Sequence, residues 1–357
     1  MKAITKVLKR LVRITKIISL INWLQFWKQY DSTSKILLWI PSLSFRYLGT
    51  DAFIWDMATI SGLLSRSENF CIFFGKGIGK YHDKKIFFSM SSVYNIYKFD
   101  DYTSILSHIT RQLEFQNNVI FPKSNEARLW ENKAYMHHVF NRADVHTPKT
   151  KIIHNLNELV DDPFEFPFLI KAEHSCASEG LYKVSDWVDI VALADKPDFK
   201  NQNAQIVVQE LINMRRDLRV ILVDEEIVLH YWRINLEKDW RPTSTSYGSQ
   251  VDFVSFPDQW TKHILKTFRS LNMTTGAFDI AWENDDLNTV PLYLEVSPFY
   301  QPNPNIDVGK QAYAFYKQKF RLFRSWDAKY VAEVFRIKDK QVNAYLDEQL
   351  ELSKASF

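Results

Sequence analysis

Cysteine and glycine are the scarce residues of this 357-residue chain, with two of the first and nine of the second. Cys71 and Cys176 are too few and too far apart for a disulfide framework, which removes the small secreted scaffold as a class and favours a reducing cytosol. No run reaches eighteen apolar residues, so no membrane-spanning helix is expected. Short-period repeats and low-complexity linkers are missing too, and domain boundaries must be inferred from motif order. What remains is 46% hydrophobic and 24% charged, the balance of a globular protein able to bury a core, which excludes global disorder.

Acidic residues are absent from the first thirty positions, which hold seven basic ones: Lys2, Lys6, Lys9, Arg10, Arg13, Lys16 and Lys28. Subtracting these from the net +3 leaves −4 on the rest, and a mildly acidic body argues against a nucleic-acid-binding domain. Within the basic segment, Ile4, Val7, Leu8, Leu11, Ile14, Ile17, Ile18, Ile21 and Leu24 recur at helical steps, and Trp23, Phe26, Trp27 and Tyr30 crowd one end. This amphipathic helix (residues 1–31) suits an anionic membrane surface, which would place the protein peripherally on the inner face of the membrane. It equally suits packing on its own domain or on a second subunit, as in a homodimer.

Beyond it, strand-like KILLWIP (35–41), a helical stretch over 51–64, FCIFF (70–74) and KIFFSM (85–90) predict a small parallel α/β domain over 32–122. GKGIG at 75–79 lacks both the Lys-Ser/Thr ending of a phosphate loop and the spacing of a dinucleotide fingerprint, and reads as a strand-to-turn exit. A helix is predicted over 125–142, and its adjacent His137 and His138 point in different directions, poorly placed for one metal. Strands follow at 168–171, 206–211, 218–223 and 227–232, the last two forming a hairpin, then a helix over 259–271. Residues 307–352 have a helical pattern, giving C-terminal helices over 311–357.

Two strand-forming runs, GAFDIAW and PLYLEVS, carry Asp279 and Glu295, with acidic turn residues between them. Neighbouring strands would present both carboxylates together, and such hard oxygen ligands suit Mg²⁺ beside phosphates. Acidic residues at strand ends are also common without any ligand. Their context matters more: Asn132-Lys133, FPFLIKAEHSCASEG, VVQELI, RRDLRVILVDEEIVLHYWRIN and RPTSTSYG occur upstream in that order.

Taken together, residues 133–305 resemble an ATP-grasp domain, most closely the branch of the ribosomal-protein S6 glutamate ligase and related carboxylate–amine ligases. The resemblance implies an α/β (α+β) architecture in which two α+β subdomains of an ATP-grasp domain (123–310) clasp ATP, preceded by the small parallel domain. It implies Lys133 and Lys171 on the phosphates, a small-residue flap from Ser175 to Gly180 over them, and main-chain contacts from Glu210 and Leu211 to adenine. Asp217 matches a nucleotide-contacting, ribose-side position. Arg241 and Arg233, and with them Arg219, match cations on the phosphate side, although strand arginines are more often salt-bridge partners. Asp279, Glu295 and Ser297 match the metal ligands for Mg²⁺ or Mn²⁺. Ser297 stands where the family has asparagine, so either its shorter hydroxyl substitutes, Asn303 or Asn305 reaches in, or the second metal is weakly held. Cys176 in the flap reads as a small neutral filler or a reactive thiol. The implied activity is an ATP-dependent ligase forming an amide or peptide-like bond through an acylphosphate, on a small-molecule, peptide or cell-envelope glycan acceptor. A phosphotransferase and a nucleotide-binding protein without turnover are the alternatives.

Overall fold

The computed structural model of the chain describes residues 2–41, 47–48, 50–90, 102–161, 163–174, 178, 180–196, 199, 205–223, 226–237, 239–244, 247–300 and 339–340. It divides into two units, one holding Met1–Arg128 and the other Leu129–Pro298. The C-terminal helices expected over 311–357 lie outside the described residues, save that 339 and 340 are helical.

In the first unit, α1 (Lys2–Ser19) and α2 (Trp23–Gln29) precede β1 (Ile36–Ile40), α3 (Asp51–Ser65), β2 (Cys71–Phe74), β3 (Lys85–Phe88), α4 (Tyr102–Phe115), β4 (Val119–Phe121) and α5 (Ser124–Leu129). The amphipathic segment is thus two helices, because Asn22 caps the second by accepting a bond from the Gln25 amide at 3.2 Å. The four strands form a parallel sheet in the order β2-β1-β3-β4. All five residues of β1 are buried, as an interior parallel strand covered on both faces demands. GKGIG is a strand exit, as expected: Gly75 has φ +123° and accepts a 2.8 Å bond from the Trp39 indole.

The second unit begins with α6 (Lys133–Arg142), followed by β5 (Thr150–Ile153), α7 (Glu158–Asp161), β6 (Phe168–Ala172), β7 (Leu181–Val184), α8 (Trp187–Ala194) and β8 (Ile206–Glu210). Then come β9 (Arg216–Val223), β10 (Glu226–Ile234), β11 (Gln250–Asp252), α9 (Thr261–Ser270), β12 (Thr275–Ala281) and β13 (Leu292–Ser297). The helix expected over 125–142 is broken. Glu131 adopts φ +50°, and the Asn132 side chain accepts the Tyr135 amide at 2.9 Å, so Lys133 opens a freshly capped helix.

Two antiparallel sheets make up this unit, ordered β5-β8-β6-β7 and β11-β10-β9-β12-β13. In the smaller, Phe168, Ile170, Ile206 and Val208 pack with Ile190 and Leu193 of α8, which leaves Lys171 and Gln209 on the opposite face. In the larger, Leu218, Val220, Leu222, Phe278 and Ile280 pack on α6 and α9 through Met136, Phe140, Ile264 and Phe268. Alternation therefore sends Asp217, Arg219 and Asp279 to the other side of the sheet.

At Gly276 a Cβ would sit 2.9 Å from Met273 Cε and 3.3 Å from the Ser297 carbonyl of β13, whereas at Gly77 nothing lies within 4 Å. Gly276→Val should therefore cost about 1–3 kcal/mol through overpacking, while Gly77→Ala leaves stability unchanged or raises it by up to about 1 kcal/mol. Urea midpoints of the two variants check the contrast.

Candidate active site

One row of charge crosses the open face of the five-stranded sheet. Arg233 of β10 stands opposite Asp217 of β9, Arg219 of β9 opposite Asp279 of β12, and Asp279 opposite Glu295 of β13. Arg219 holds Asp279 through Nε–Oδ1 at 2.8 Å and Nη2–Oδ2 at 2.7 Å. The Nη2 of Arg233 reaches the same Oδ2 at 2.8 Å. Arg233 also donates from Nε to Asp217 Oδ1 at 2.8 Å, and from Nη2 to Oδ2. Thr243 bonds Asp217, and the Tyr231 hydroxyl accepts from Arg219. Burial alone would raise the Asp279 carboxyl, but Arg219 and then Arg233 outweigh it and hold it well below the usual carboxylate range.

Glu295 reaches this face because of a bulge. Tyr293 and Val296 both enter the core, which simple alternation forbids, and Leu294 is the extra residue between the Ile280–Tyr293 and Asp279–Glu295 pairs. Were β13 to alternate regularly from Tyr293, Glu295 would point into the core. Among the described residues its half-buried carboxylate makes no hydrogen bond or ion pair.

Lys171 arrives from the smaller sheet. Its ammonium donates to Gln209 Oε1 at 2.6 Å, and Gln209 in turn donates to Thr150 Oγ1 at 3.0 Å. Burial pushes its pKa down to about 8, Glu295 and Asp279 pull it up, and Lys133 pushes it down, so these four groups share one locus. The Lys133 amide bonds the Glu173 carbonyl at 3.0 Å, tying the start of α6 to the end of β6. One turn on, His137 is buried and pushed down to about 3, first by burial and then by Lys171 and Lys133, so it is neutral. Among the described residues its Nε2 has no hydrogen-bond partner.

Most of the other expected residues already have protein partners or lie outside the described residues. Arg241 is turned into its own loop: Nε bonds Asn235 at 3.1 Å, Nη1 bonds the Tyr247 carbonyl at 3.0 Å, and Nη2 pairs with Glu237 at 2.5 Å. Arg233 and Arg219, expected as phosphate-side cations, are the carboxylate-bound arginines of the charge row. Asp217, expected beside ribose, is buried with both oxygens held by Arg233. Glu210 ends β8 and is tied to Lys149 by its amide at 2.9 Å and its carboxylate at 2.6 Å, with half-buried Leu211 next. Gly180, at φ +67°, accepts from the Ala172 amide and closes the β6–β7 connection. Ser175, Cys176, Asn303 and Asn305 lie outside the described residues. Gln209, fully buried beside Lys171, carried no expectation; a glutamine inside the apolar strand VVQEL is the signal that marks it.

The donor set fits a magnesium ion held jointly with phosphates. A carboxylate offers about four lone-pair sites, and three donors occupy Asp279, leaving room on Oδ1 beside open Glu295. Among the described residues no cluster of three His, Cys, Asp or Glu side chains could hold a metal alone. Ser297, the expected third ligand, is half-buried and already engaged in another interaction.

The two carboxylates should therefore differ in what they do for stability. Asp279→Asn strips charge from two buried guanidiniums and should cost about 3 kcal/mol, whereas Glu295→Gln should stay within about 0.5 kcal/mol. Chemical denaturation reads both, and equal losses would place Glu295 inside the buried network. The Asp279 contribution should be present above about pH 4, the unfolded pKa, and drain away as pH falls through the depressed folded value.

Comparison with known proteins agrees with this geometry. The RimK-like ATP-grasp domain model matches residues 130–298. The tetrahydromethanopterin:alpha-L-glutamate ligase of Methanocaldococcus jannaschii is 27% identical over 168 residues, 44% of this chain and 57% of that protein. The chain thus spans little more than half the length of that relative. A RimK domain ATP-grasp protein from Sphaerobacter thermophilus superposes with a TM-score of 0.53 at 11% identity, over 84% of this chain and 99% of that one. D-alanine–D-alanine ligase from Bacillus anthracis gives 0.52 at 10% identity, over 88% and 99%, and its ATP complex matches equally. At such identities the structures establish the fold: the chain has the ATP-grasp fold, and its residues 130–298 match the RimK-like ATP-grasp domain.

Proposed function

We propose that this protein is an ATP- and Mg²⁺-dependent carboxylate–amine ligase. The observation that carries the reading is the meeting of Lys133 and Lys171 with Asp279 and Glu295 inside the RimK-like domain. Phosphoryl transfer asks for positioned cations and little covalent chemistry, and these groups supply them. Lys171, fixed by Gln209, and Lys133 would bind the terminal phosphates, while Glu295 and Asp279 would hold the magnesium. The metal would neutralise phosphate charge there.

In the reaction proposed, a substrate carboxylate oxygen attacks the γ-phosphorus and the bond to the ADP oxygen breaks. An amine then attacks the acyl carbon, loses its proton and expels phosphate. The relatives supporting this reading are a glutamate ligase and a D-alanine–D-alanine ligase, so the acceptor proposed is a small molecule or peptide amine. Free, buried Cys71 fits the reducing cytoplasm as its location.

Purified protein given ATP, Mg²⁺ and amino-acid or peptide acceptors should release ADP and free phosphate together with an amide product. ADP with a phosphorylated product would make it a phosphotransferase, and nucleotide binding without turnover would make it a non-catalytic binder, the outcome Ser297 would explain. Glu295→Gln should lower turnover at least about 100-fold.

Lys171 adds a pH signature. As pH rises through about 8 the free site loses a positive charge, so ATP affinity should fall above that pH, at most about tenfold per pH unit for one proton. Lys171→Arg stays charged throughout and should lack the step. Calorimetric titration between pH 7 and 9.5 compares the two, and parallel profiles would remove Lys171 from the phosphate site.

A further inference from the structure

The N-terminal helices carry a surface that neither the sheet beneath them nor the proposed chemistry uses. In α1, Ile14 and Ile17 are buried, followed by Ile21 in the turn and Phe26 in α2, and both helices pack on α3. Arg10 lies on that same stripe and donates its Nε to the Leu48 carbonyl at 2.7 Å. This set accounts for one stripe of the helix and for its attachment. A second apolar stripe, offset from the first, runs through Leu8, Leu11 and Ile18 at steps of three and seven, and all three are exposed. It continues into α2, where Leu24 is 81% and Trp27 68% exposed. Of twenty exposed large hydrophobic residues among those described, ten lie between Val7 and Tyr30. Scattered apolar exposure needs no explanation, but half of it gathered into one short segment does.

Charge identifies what this surface meets. In sequence register Lys2, Lys6, Lys9, Arg13 and Lys16 repeat at steps of four and three along a third stripe, and no acidic residue occurs through Tyr30. A second copy would add the same uncompensated positive charge and has no carboxylate in this segment to answer it. A layer carrying fixed negative charge over an apolar interior takes the apolar stripe by contact and attracts the segment's positive charge through its field. No described helix is long and apolar enough to cross a membrane, so contact would lie in the plane of the surface. We propose that α1 and α2 dock the protein on an anionic phospholipid bilayer, with Leu8, Leu11, Ile18, Leu24 and Trp27 entering the headgroup boundary. This proposal stands independently of the ligase reading.

The test is vesicle flotation of the full chain, using phosphatidylcholine alone and phosphatidylcholine with a quarter phosphatidylglycerol, at 0.1 M and 0.5 M salt. Binding should favour the anionic vesicles by at least about tenfold at low salt and weaken at high salt. The Leu24→Ala/Trp27→Ala double variant, altering exposed side chains only, should lose at least about tenfold in partitioning while keeping its circular dichroism and ATP affinity. Lys6→Gln/Lys9→Gln should lose binding to the anionic vesicles by a separate route, so the proposal remains testable if the first variant misfolds. Absence of vesicle binding, equal binding to both lipids, or variants that bind like the parent would overturn it. So would a dimer in analytical ultracentrifugation that Leu24→Ala/Trp27→Ala converts to monomer without any vesicle binding, since the occupant would then be a second copy.

Discussion

The second unit depends throughout on the buried ladder Asp217–Arg233–Asp279–Arg219. Two carboxylates and two guanidiniums on three adjacent strands cancel to zero, and each partner bonds its neighbour with short, mostly paired contacts. Taking four charges out of water is expensive, and an incomplete set would be destabilising. The ladder therefore survives only with β10, β9 and β12 in their observed register, since a slip of one residue would turn the carboxylates into the core beside Trp232 and Phe278. Placement of Asp279 is thus a consequence of sheet register enforced by charge, and its remaining acceptor site is aimed without any contribution from a ligand.

Neutrality of the ladder also decides what the neighbouring charges can do. Because Asp279 is already answered by two arginines, the carboxylate left to face Lys171 and Lys133 with an open coordination sphere is Glu295. Lys171 is held in this locus at the cost of burying its charge, with Glu295 and Asp279 drawing it in and Lys133 opposing them. Burial therefore pushes the Lys171 pKa down to about 8 even though Glu295 and Asp279 pull it up. The proposed polyanion with a divalent cation would suit both sides: phosphate oxygens would answer the lysines, and the cation would answer Glu295 and the spare lone pair of Asp279.

Much of this was legible in the sequence, for identifiable reasons. The strands bearing Lys171, Asp279 and Glu295 declared themselves through β-branched and aromatic runs, and their order carried the family resemblance. Three features were not legible. The bulge at Leu294 changes the parity of β13, and an extra residue in LYLEVS looks the same as ordinary alternation until its partner strand is known. The break at Glu131 and Asn132 sits inside a pattern that periodicity reads as one helix, and only the left-handed backbone and the Asn132 cap divide it. The pairing of Arg219 and Arg233 with carboxylates rather than with an expected phosphate depends on cross-strand neighbours, which distance along the chain does not encode.

The same logic explains why Gln209 and His137 are neutral. Beside Lys171 and half-buried Lys133 a third cation would add repulsion, and a further carboxylate would neutralise Lys171 before any phosphate arrived. A glutamine oxygen fixes the Lys171 ammonium at 2.6 Å while leaving its charge uncompensated, and burial keeps His137 unprotonated beside it. Neutral acceptors orient a cation without spending its field. In a site whose proposed task is to meet phosphate, that distinction is the functional one: Lys171 is positioned by a dipole so that its charge remains available to an incoming anion.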